Sequence, residues 1–433
     1  MTYIKRAIVI KIKNKFKNNR IIILVGSRQV GKTVIAKKIF EGCDVDQKLY
    51  FNLEDPRVLV HFENMDMLLK YLDLSRVDID KPIFLVIDEF QYIKNATKLL
   101  KIIYDIYPNI KVLATGSSSV EIQKHLKESL AGRKMVYNVY QLSFEEFLSY
   151  GDKDGKYLNL TTDNATPAVI NTVNTKYLYK YLYYGSYPKI TAEEFSDEEK
   201  KEELSEIFKS YLQKDITALI GGDNILAYNN LLKCLASQIG NLVNINELSN
   251  TLGISRLEVE KYISILQGTF IIKMVYPYFT NKRKEISKMP KIFFYDQGIV
   301  NFILNNFSDI ATRPEIGAIV ENFVWNEIKN KISITDKIYF WRTQQGSEID
   351  FILKTDEGII PIEVKWKSAG GKPIPKSFRF FFANNPSAIA GIIVTKDFTS
   401  ISKLGEKKIF YVPAVLMSRF ILDFKGNSFA YFG

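Results

Sequence analysis

Gly26-Ser27-Arg28-Gln29-Val30-Gly31-Lys32-Thr33 fits the spacing G-x-x-x-x-G-K-[ST] at every position. An apolar run (21–25) precedes it and a helical pattern (33–40) follows, the strand–loop–helix setting this spacing requires. Glycines let backbone N–H groups wrap phosphates, and the helix N-terminus adds partial positive charge. The chemistry expected of residues 26–33 is therefore nucleotide binding, with ATP and Mg²⁺ as cofactors. Lys32 reaches the β- and γ-phosphates, and the Thr33 hydroxyl ligates the metal. Average residue usage produces this pattern by accident on the order of once per hundred chains of this length.

A second apolar run, Ile83-Phe84-Leu85-Val86-Ile87, ends in Asp88-Glu89. Asp88 is expected to hold Mg²⁺ through water, and Glu89 to polarise the attacking water. A further run ends in Thr115-Gly116-Ser117-Ser118-Ser119, whose hydroxyls suit sensing of the γ-phosphate or the water. An ordinary Gly/Ser turn is the competing account of that tip.

The elements that must position these groups are legible in the same region. The runs 21–25, 49–53, 83–87 and 111–115 are largely apolar, as expected of parallel strands buried on both faces. Helical patterns at 32–40 and 97–107 lie between them, so the region reads as α/β.

Several short motifs recur together here: Phe51-Asn52-Leu53-Glu54-Asp55-Pro56, Asp88-Glu89, Thr115-Gly116-Ser117, Leu130-Ala131-Gly132-Arg133, and Leu142-Ser143-Phe144-Glu145-Glu146-Phe147. With the phosphate loop they resemble an archaeal and bacterial family of predicted ATPases within the AAA+ superfamily. The resemblance implies an ATPase core followed by a helical lid, and makes Arg133 a candidate arginine finger or sensor. Such an arginine is worth about 10³–10⁵ in rate; a structural salt bridge is the other reading of Arg133.

Past the core, eight of the fifteen residues from 161 to 175 are Thr or Asn, without periodicity, and a polar loop or insertion is expected. Residues 176–220 then read as charge-dense helix. In 225–280 three short helices and a hairpin are expected. Gly253 forms a turn, Ser255 is an N-cap, and Glu258 three residues on completes a capping box. Helix, Gly turn and capped helix is the helix-turn-helix pattern, with 270–278 as a candidate wing. Arg256, Lys261 and Ser264 are candidates to face phosphates or bases. The basic stretch 281–291, five basic residues against one acid, adds to that face. The same family resemblance implies that a winged helix follows the lid.

At the C-terminal end Glu321 falls in a helical pattern, and 338–343, 348–353 and 359–366 read as three strands. Period two puts Glu363 and Lys365 on one face of the third strand, where Asp350 of the second can face Glu363. Two carboxylates and a carbonyl would suit a hard cation. Helix-Glu, Asp, then Glu-x-Lys resembles the PD-(D/E)xK nuclease superfamily, although Ile349 stands where that pattern usually has proline. The resemblance implies Mg²⁺ on Asp350 and Glu363, Lys365 positioning or activating water, and Glu321 assisting.

Composition sets the frame. The chain has 433 residues, more than one compact core usually holds. Four units are expected: 1–150 the AAA+ P-loop core, 151–224 lid and polar insertion, 225–300 winged helix-turn-helix, and 301–433 the nuclease-like α/β domain. Fifty-nine Lys and Arg against 48 Asp and Glu leave +11, which favours polyanionic partners. DNA is expected, its form open, and a homo-oligomer is possible. Two Cys and two His (His61, His125) exclude a disulfide framework and histidine-rich metal sites. No run of 18 apolar residues occurs, so no stable membrane insertion and a cytoplasmic location are expected. The basic segment 5–20 reads as a first helix packed on the core, with membrane-surface binding the weaker alternative. The function expected is an ATP-hydrolysing protein acting on DNA. The rival is a nucleotide-gated DNA-binding or regulatory switch whose nuclease-like domain is inert.

Overall fold

The computed structural model describes residues 3–16, 18–117, 130–192, 194–211, 224–279, 288–368 and 373–426. Ser118, Ser119, His125 and the basic positions 281–287 lie outside them.

Five parallel strands form the first sheet: β1 (Ile21–Gly26), β2 (Gln47–Asn52), β3 (Ile83–Asp88), β4 (Ile110–Ser117) and β5 (Lys134–Asn138). Their order is β2-β3-β4-β1-β5, so β4 separates the strand that feeds the phosphate loop from the strand that ends in Asp88. Both strand ends leave from the same edge of the sheet. β1 and β3 are buried along their whole length, as an all-apolar run demands when both faces are covered. β2 departs from that expectation. It is the edge strand and is mostly half-buried. β5 extends the other edge; its residues are exposed or half-buried, so it carries no apolar run to find.

One face of this sheet is covered by helices Ala7–Lys13 and Lys32–Glu41, where Val9, Ile12, Ile35 and Ile39 pack with Ile22, Leu24, Phe84 and Val86. The basic N-terminal segment thus spends its apolar side on the core. The other face packs Leu68, Leu72, Leu100 and Ile103 of helices Met65–Leu74 and Ala96–Ile106.

The Thr/Asn-rich stretch is not all loop. Pro167–Val173 is an α-helix running into a π-helical turn, Asn174–Leu178. Thr166 caps it, Pro167 occupies the first turn, and Ile170, Val173 and Leu178 are buried. Its polar residues are absorbed locally: Thr172 and Thr175 donate to the carbonyls of Ala168 (3.0 Å) and Asn171 (2.9 Å). Composition hid a helix whose hydroxyls bond back onto it.

Helices Ile225–Ser237, Ile245–Leu252 and Arg256–Gly268 follow. Gly253 ends the second in the left-handed region (φ 64°), and the Ser255–Glu258 capping box starts the third. β6 (Ile272–Val275) pairs antiparallel with β7 (Lys291–Phe294), and Leu242 bridges Lys291 on the far side. The pairing partner of the 270–278 stretch is therefore a distant strand, not its own second half. Leu231, Leu235, Leu248, Leu266 and Ile292 join the same core as the helices on the first sheet.

A second sheet of six strands, order β12-β13-β11-β10-β9-β8, occupies the C-terminal part. β8 (Lys337–Arg342), β9 (Glu348–Lys354) and β10 (Ile359–Val364) are an antiparallel meander, as expected. β11 (Gly391–Thr395) and β13 (Lys407–Pro413) run parallel to β10, and β12 (Ser400–Leu404) pairs antiparallel with β13. Helix Ile316–Lys331 lies across this sheet, and its Phe323, Val324 and Ile328 pack with Phe351, Ile362 and Phe144. No helix among the described residues is long and apolar enough to cross a membrane.

Candidate nucleotide-binding site and acidic cluster

The loop after β1 is shaped by two different demands on glycine. A Cβ on Gly26 would lie 2.2 Å from the Val139 carbonyl oxygen, so the loop can leave the sheet here only without a side chain. Gly31 caps helix Lys32–Glu41 with φ 91°, a conformation that costs other residues. Lys32 points into the cradle this makes, donating to the carbonyls of Gly26 (3.0 Å) and Ser27 (2.8 Å). Arg28, Gln29, Gly31, Lys32 and Thr33 line a cavity of about 660 Å³ that Glu89 borders from β3. Tyr3, Ile4 and Arg6 close it on one side, Pro188, Lys189 and Ala192 on another. Val30 faces away into the core.

Arg6 ties this N-terminal wall to the loop. Its guanidinium donates to the carbonyls of Val30 (2.8 Å) and Tyr140 (2.7 Å), and its Nε lies 3.2 Å from Glu146. Glu146 also completes a capping box with Ser143 at the head of helix Phe144–Gly151. The amide of Phe144 in turn donates to Glu327 of helix Ile316–Lys331 (3.1 Å), and Lys331 pairs with Glu145 at 2.6 Å. One short helix thus connects the phosphate loop to the C-terminal sheet.

Asp88 is the hub of the site. Its Oδ1 accepts from Thr33 (3.3 Å) and from the Thr115 hydroxyl, and its Oδ2 accepts from Tyr50 (2.5 Å). Burial, then the hydrogen bond to Asp88, pushes the Tyr50 hydroxyl far above its ordinary value, so it remains a donor. Glu89 follows in the left-handed region at φ 59°, rare for a side chain with a Cβ and of the kind concentrated at functional sites. Its amide donates to Thr115 Oγ1 (3.1 Å), and its carboxylate accepts from Gln91, whose Oε1 accepts from the Ser117 amide at 3.3 Å. Thr33 and Asp88 supply hard oxygen donors beside a cationic phosphate cradle, which fits Mg²⁺ with a nucleotide. Tyr50, Gln91 and Arg6 were not singled out in the sequence. Gln91 stands two residues past Glu89, where the acidic pair could have drawn attention to it.

Arg133 lies elsewhere. It precedes β5 at the start of the strands, where its carbonyl accepts from the Ile21 amide, and its Nε pairs with Asp105 at 2.7 Å. The length of β1, about 17 Å for its rise, separates it from the phosphate loop of its own chain. The salt-bridge reading is the one realised within the chain.

The C-terminal acids do converge. Asp350 Oδ2 accepts from the Val364 amide (2.7 Å), which sets it beside Glu363 on the neighbouring strand. Lys365 pairs with Glu363 at 2.6 Å. Glu321 approaches from helix Ile316–Lys331. The space among them holds Lys291, one of the five basic residues of 281–291. Lys291 of β7 turns inward, almost fully buried, with its ammonium 3.1 Å from Glu321, 2.5 Å from Glu348 and 3.8 Å from Asp350. Burial raises Glu321, Asp350 and Glu363 above the usual carboxylate range, with neighbouring acids adding to Glu321 and Glu363. Burial would lower Lys291, but its three carboxylates lift it above its ordinary value. Among the described residues no three His, Cys, Asp or Glu side chains are grouped to hold a metal ion. This donor set, with an ammonium inside it, does not fit Mg²⁺.

Three segments of the chain match known families. Residues 18–148 match the family described as "AAA domain"; residues 175–309 and 316–415 match two families described as domains of unknown function (DUF8612 and DUF4143). The chain is 28% identical over 358 residues to the uncharacterized protein MJ1544 of Methanocaldococcus jannaschii, covering 81% of this chain and 76% of that protein. It is 24% identical to an uncharacterized protein of Haemophilus influenzae, covering 82% and 84%. Among solved structures, the Walker-type ATPase PABY2304 of Pyrococcus abyssi covers 70% of this chain and 96% of its own, at 14% identity and a TM-score of 0.44. The phosphate loop, the acidic pair and the parallel sheet that joins them all lie within residues 18–148, the part of the chain that matches the AAA domain family.

Proposed function

We propose that this protein hydrolyses ATP with Mg²⁺ and couples the cycle to DNA. The convergence of Thr33, Thr115 and Tyr50 on Asp88, with Glu89 alongside, carries the ATPase part. Mg²⁺, when bound, neutralises charge developing on the phosphates. Lys32 binds the phosphates, Thr33 and Asp88 hold the metal and its water, and Glu89 orients the attacking water. Thr115 fixes the Asp88 carboxylate and the Glu89 amide.

The DNA part rests on the helix-turn-helix geometry at 245–268, read as a winged helix with β6 and β7. Arg256, Lys261 and Ser264 are exposed on its third helix. Arg256 also pairs with Glu260 at 2.8 Å, which a phosphate would have to displace. Arg133, remote from its own nucleotide, would act as a finger only on a second copy. A PD-(D/E)xK-like fold remains our reading of 301–433.

Parallel ATPase and cleavage assays of wild type, Lys32→Ala and Asp350→Ala on single-stranded, duplex and branched DNA test this. Stimulation of hydrolysis by DNA, with log affinity falling by about 0.9 per phosphate contact per log salt, is expected. A hydrolysis rate indifferent to every DNA form removes the coupling. The second reading, a nucleotide-gated switch that cuts nothing, is favoured by Lys291 inside the acidic cluster.

A further inference from the structure

Among the described residues the acidic cluster holds four carboxylates, Glu321, Glu348, Asp350 and Glu363, and three cations contact them: Lys291, Lys365 and Arg342. Two of the cations lie at the rim. Lys365 is half-exposed and Arg342 nearly so, and each reaches one carboxylate. Lys291 differs in every respect. It comes from another unit of the chain, its side chain is 4% exposed, and its single ammonium lies within 4 Å of three carboxylates. Its position is built. The backbone of Lys291 is paired with Val275 on one side and Leu242 on the other, and its ammonium lies over the Phe340 ring, 5.7 Å from the centroid.

One acceptor of the cluster is unused among the described residues. Glu363 Oε2 is buried and has no hydrogen-bond partner among the described residues. A carboxylate oxygen in that state is costly unless a cation or donor can reach it. Mg²⁺ sits about 2.1 Å from its oxygen ligands. On Asp350 Oδ1 or Glu321 Oε1 it would lie within a few ångströms of the Lys291 ammonium, and two cations so close in a buried site repel strongly. The two occupancies exclude each other.

We infer that Lys291 is the resident cation of the C-terminal cluster, filling the place between Glu321, Glu348 and Asp350 that a divalent cation would take, so that the cluster binds metal only when β7 withdraws it. This goes beyond the ATPase reading and does not depend on it. Lys291 belongs to the unit we read as DNA-binding, so movement of β6 and β7 is what would open the cluster.

The test is metal binding by the full-length, nucleotide-free chain, with Mn²⁺ as the probe and thermal unfolding and Mn²⁺ paramagnetic resonance as readouts. Wild type is expected to show no site that Asp350→Asn abolishes. Lys291→Met is expected to gain one Mn²⁺ site, and Lys291→Met/Asp350→Asn to lose it again. At Mn²⁺ about 100-fold above its Kd the gained site adds about 2.7 kcal/mol to the variant, read as a rise in Tm that wild type lacks. If Lys291→Met folds only when Mn²⁺ is present, that rescue carries the same meaning. The inference is overturned by a wild-type Mn²⁺ site that Asp350→Asn removes, by a folded Lys291→Met that gains none, or by a Lys291→Met that Mn²⁺ cannot rescue. None of these readouts involves ATP or DNA, so failure here is distinct from failure of the proposed function.

Discussion

Tyr50 donates to Asp88 from the neighbouring strand at 2.5 Å, beside the Thr33 and Thr115 hydroxyls on the other carboxylate oxygen. Parallel pairing of β2 with β3 sets Tyr50 opposite Val86 and Asn52 opposite Asp88, which puts Tyr50 and Asp88 on the same face of the sheet. A hydrogen bond to a charged group is worth about 1.5–3 kcal/mol net. Tyr50→Phe keeps the ring contact with Phe40 and removes only that bond. The Mg²⁺ concentration giving half-maximal ATP hydrolysis should rise about tenfold, corresponding to about 1.4 kcal/mol, with a smaller change in kcat. An unchanged Mg²⁺ dependence would show that Tyr50 does not fix the metal-binding carboxylate.

Gln91 links Glu89 to the tip of β4, donating to the Glu89 carboxylate and accepting from the Ser117 amide. Gly116 makes the room, since a Cβ there would sit 2.5 Å from the Phe90 ring and 3.0 Å from Gln91 Oε1. Gln91→Leu frees a carboxylate that must aim at water, and a misplacement of about 1 Å can cost about 10²-fold. We expect kcat to fall roughly ten- to a hundredfold with KM within about twofold. A rise in kcat would mean that Gln91 restrains Glu89 instead of aiming it.

Arg6→Ala should loosen the molecule more than a surface charge would. The guanidinium is buried, bonds two carbonyls from distant segments and pairs with a nearly buried Glu146. Removing one partner of a buried pair costs about 3–5 kcal/mol because the other charge stays behind. Urea unfolding should report a loss in that range together with weaker nucleotide binding; a loss below about 1 kcal/mol would assign Arg6 a surface-like role.

The nucleotide site was legible because its parts are contiguous: a loop with fixed spacing, and two apolar runs that end in polar residues. What escaped were partners that only pairing brings near. Tyr50 sits in a run whose pattern marks a strand and nothing more, and Gln91 acts through a carboxylate it follows in sequence. Lys291 reads as one more basic residue in a basic stretch, since nothing local distinguishes a lysine turned inward from one turned outward. Its inward turn follows from the β6–β7 pairing and from helix Ile316–Lys331 lying beside that strand. The hidden helix at Pro167–Val173 has the same cause in reverse: its polar composition is real, but tertiary burial of Ile170 and Val173 decides its state.

Lys329 gives the fold a pH dependence of definite sign. Its ammonium lies against three rings, 3.7 Å from the centroid of Tyr140, 4.5 Å from Tyr295 and 5.4 Å from Trp325. Burial pulls it down to about 7, partly countered by Glu327. Burial pushes Glu327 up to about 7, at the lower edge of the range between the folded and unfolded values of Lys329 and common to wild type and a Lys329 variant, and both tyrosines are held above their ordinary range. Between about pH 7 and 10.5 the unfolded chain therefore carries a proton on Lys329 that the folded chain does not. Unfolded chains that bind more protons make stability rise with pH, here by at most about 1.4 kcal/mol per pH unit. Lys329→Met keeps the apolar stem among the rings and removes the titration. Wild type should gain stability from pH 7 to 9 relative to Lys329→Met, and the variant should be the more stable of the two at pH 6. Parallel urea midpoints for the two proteins across that range would show instead that Lys329 stays protonated over its ring contacts.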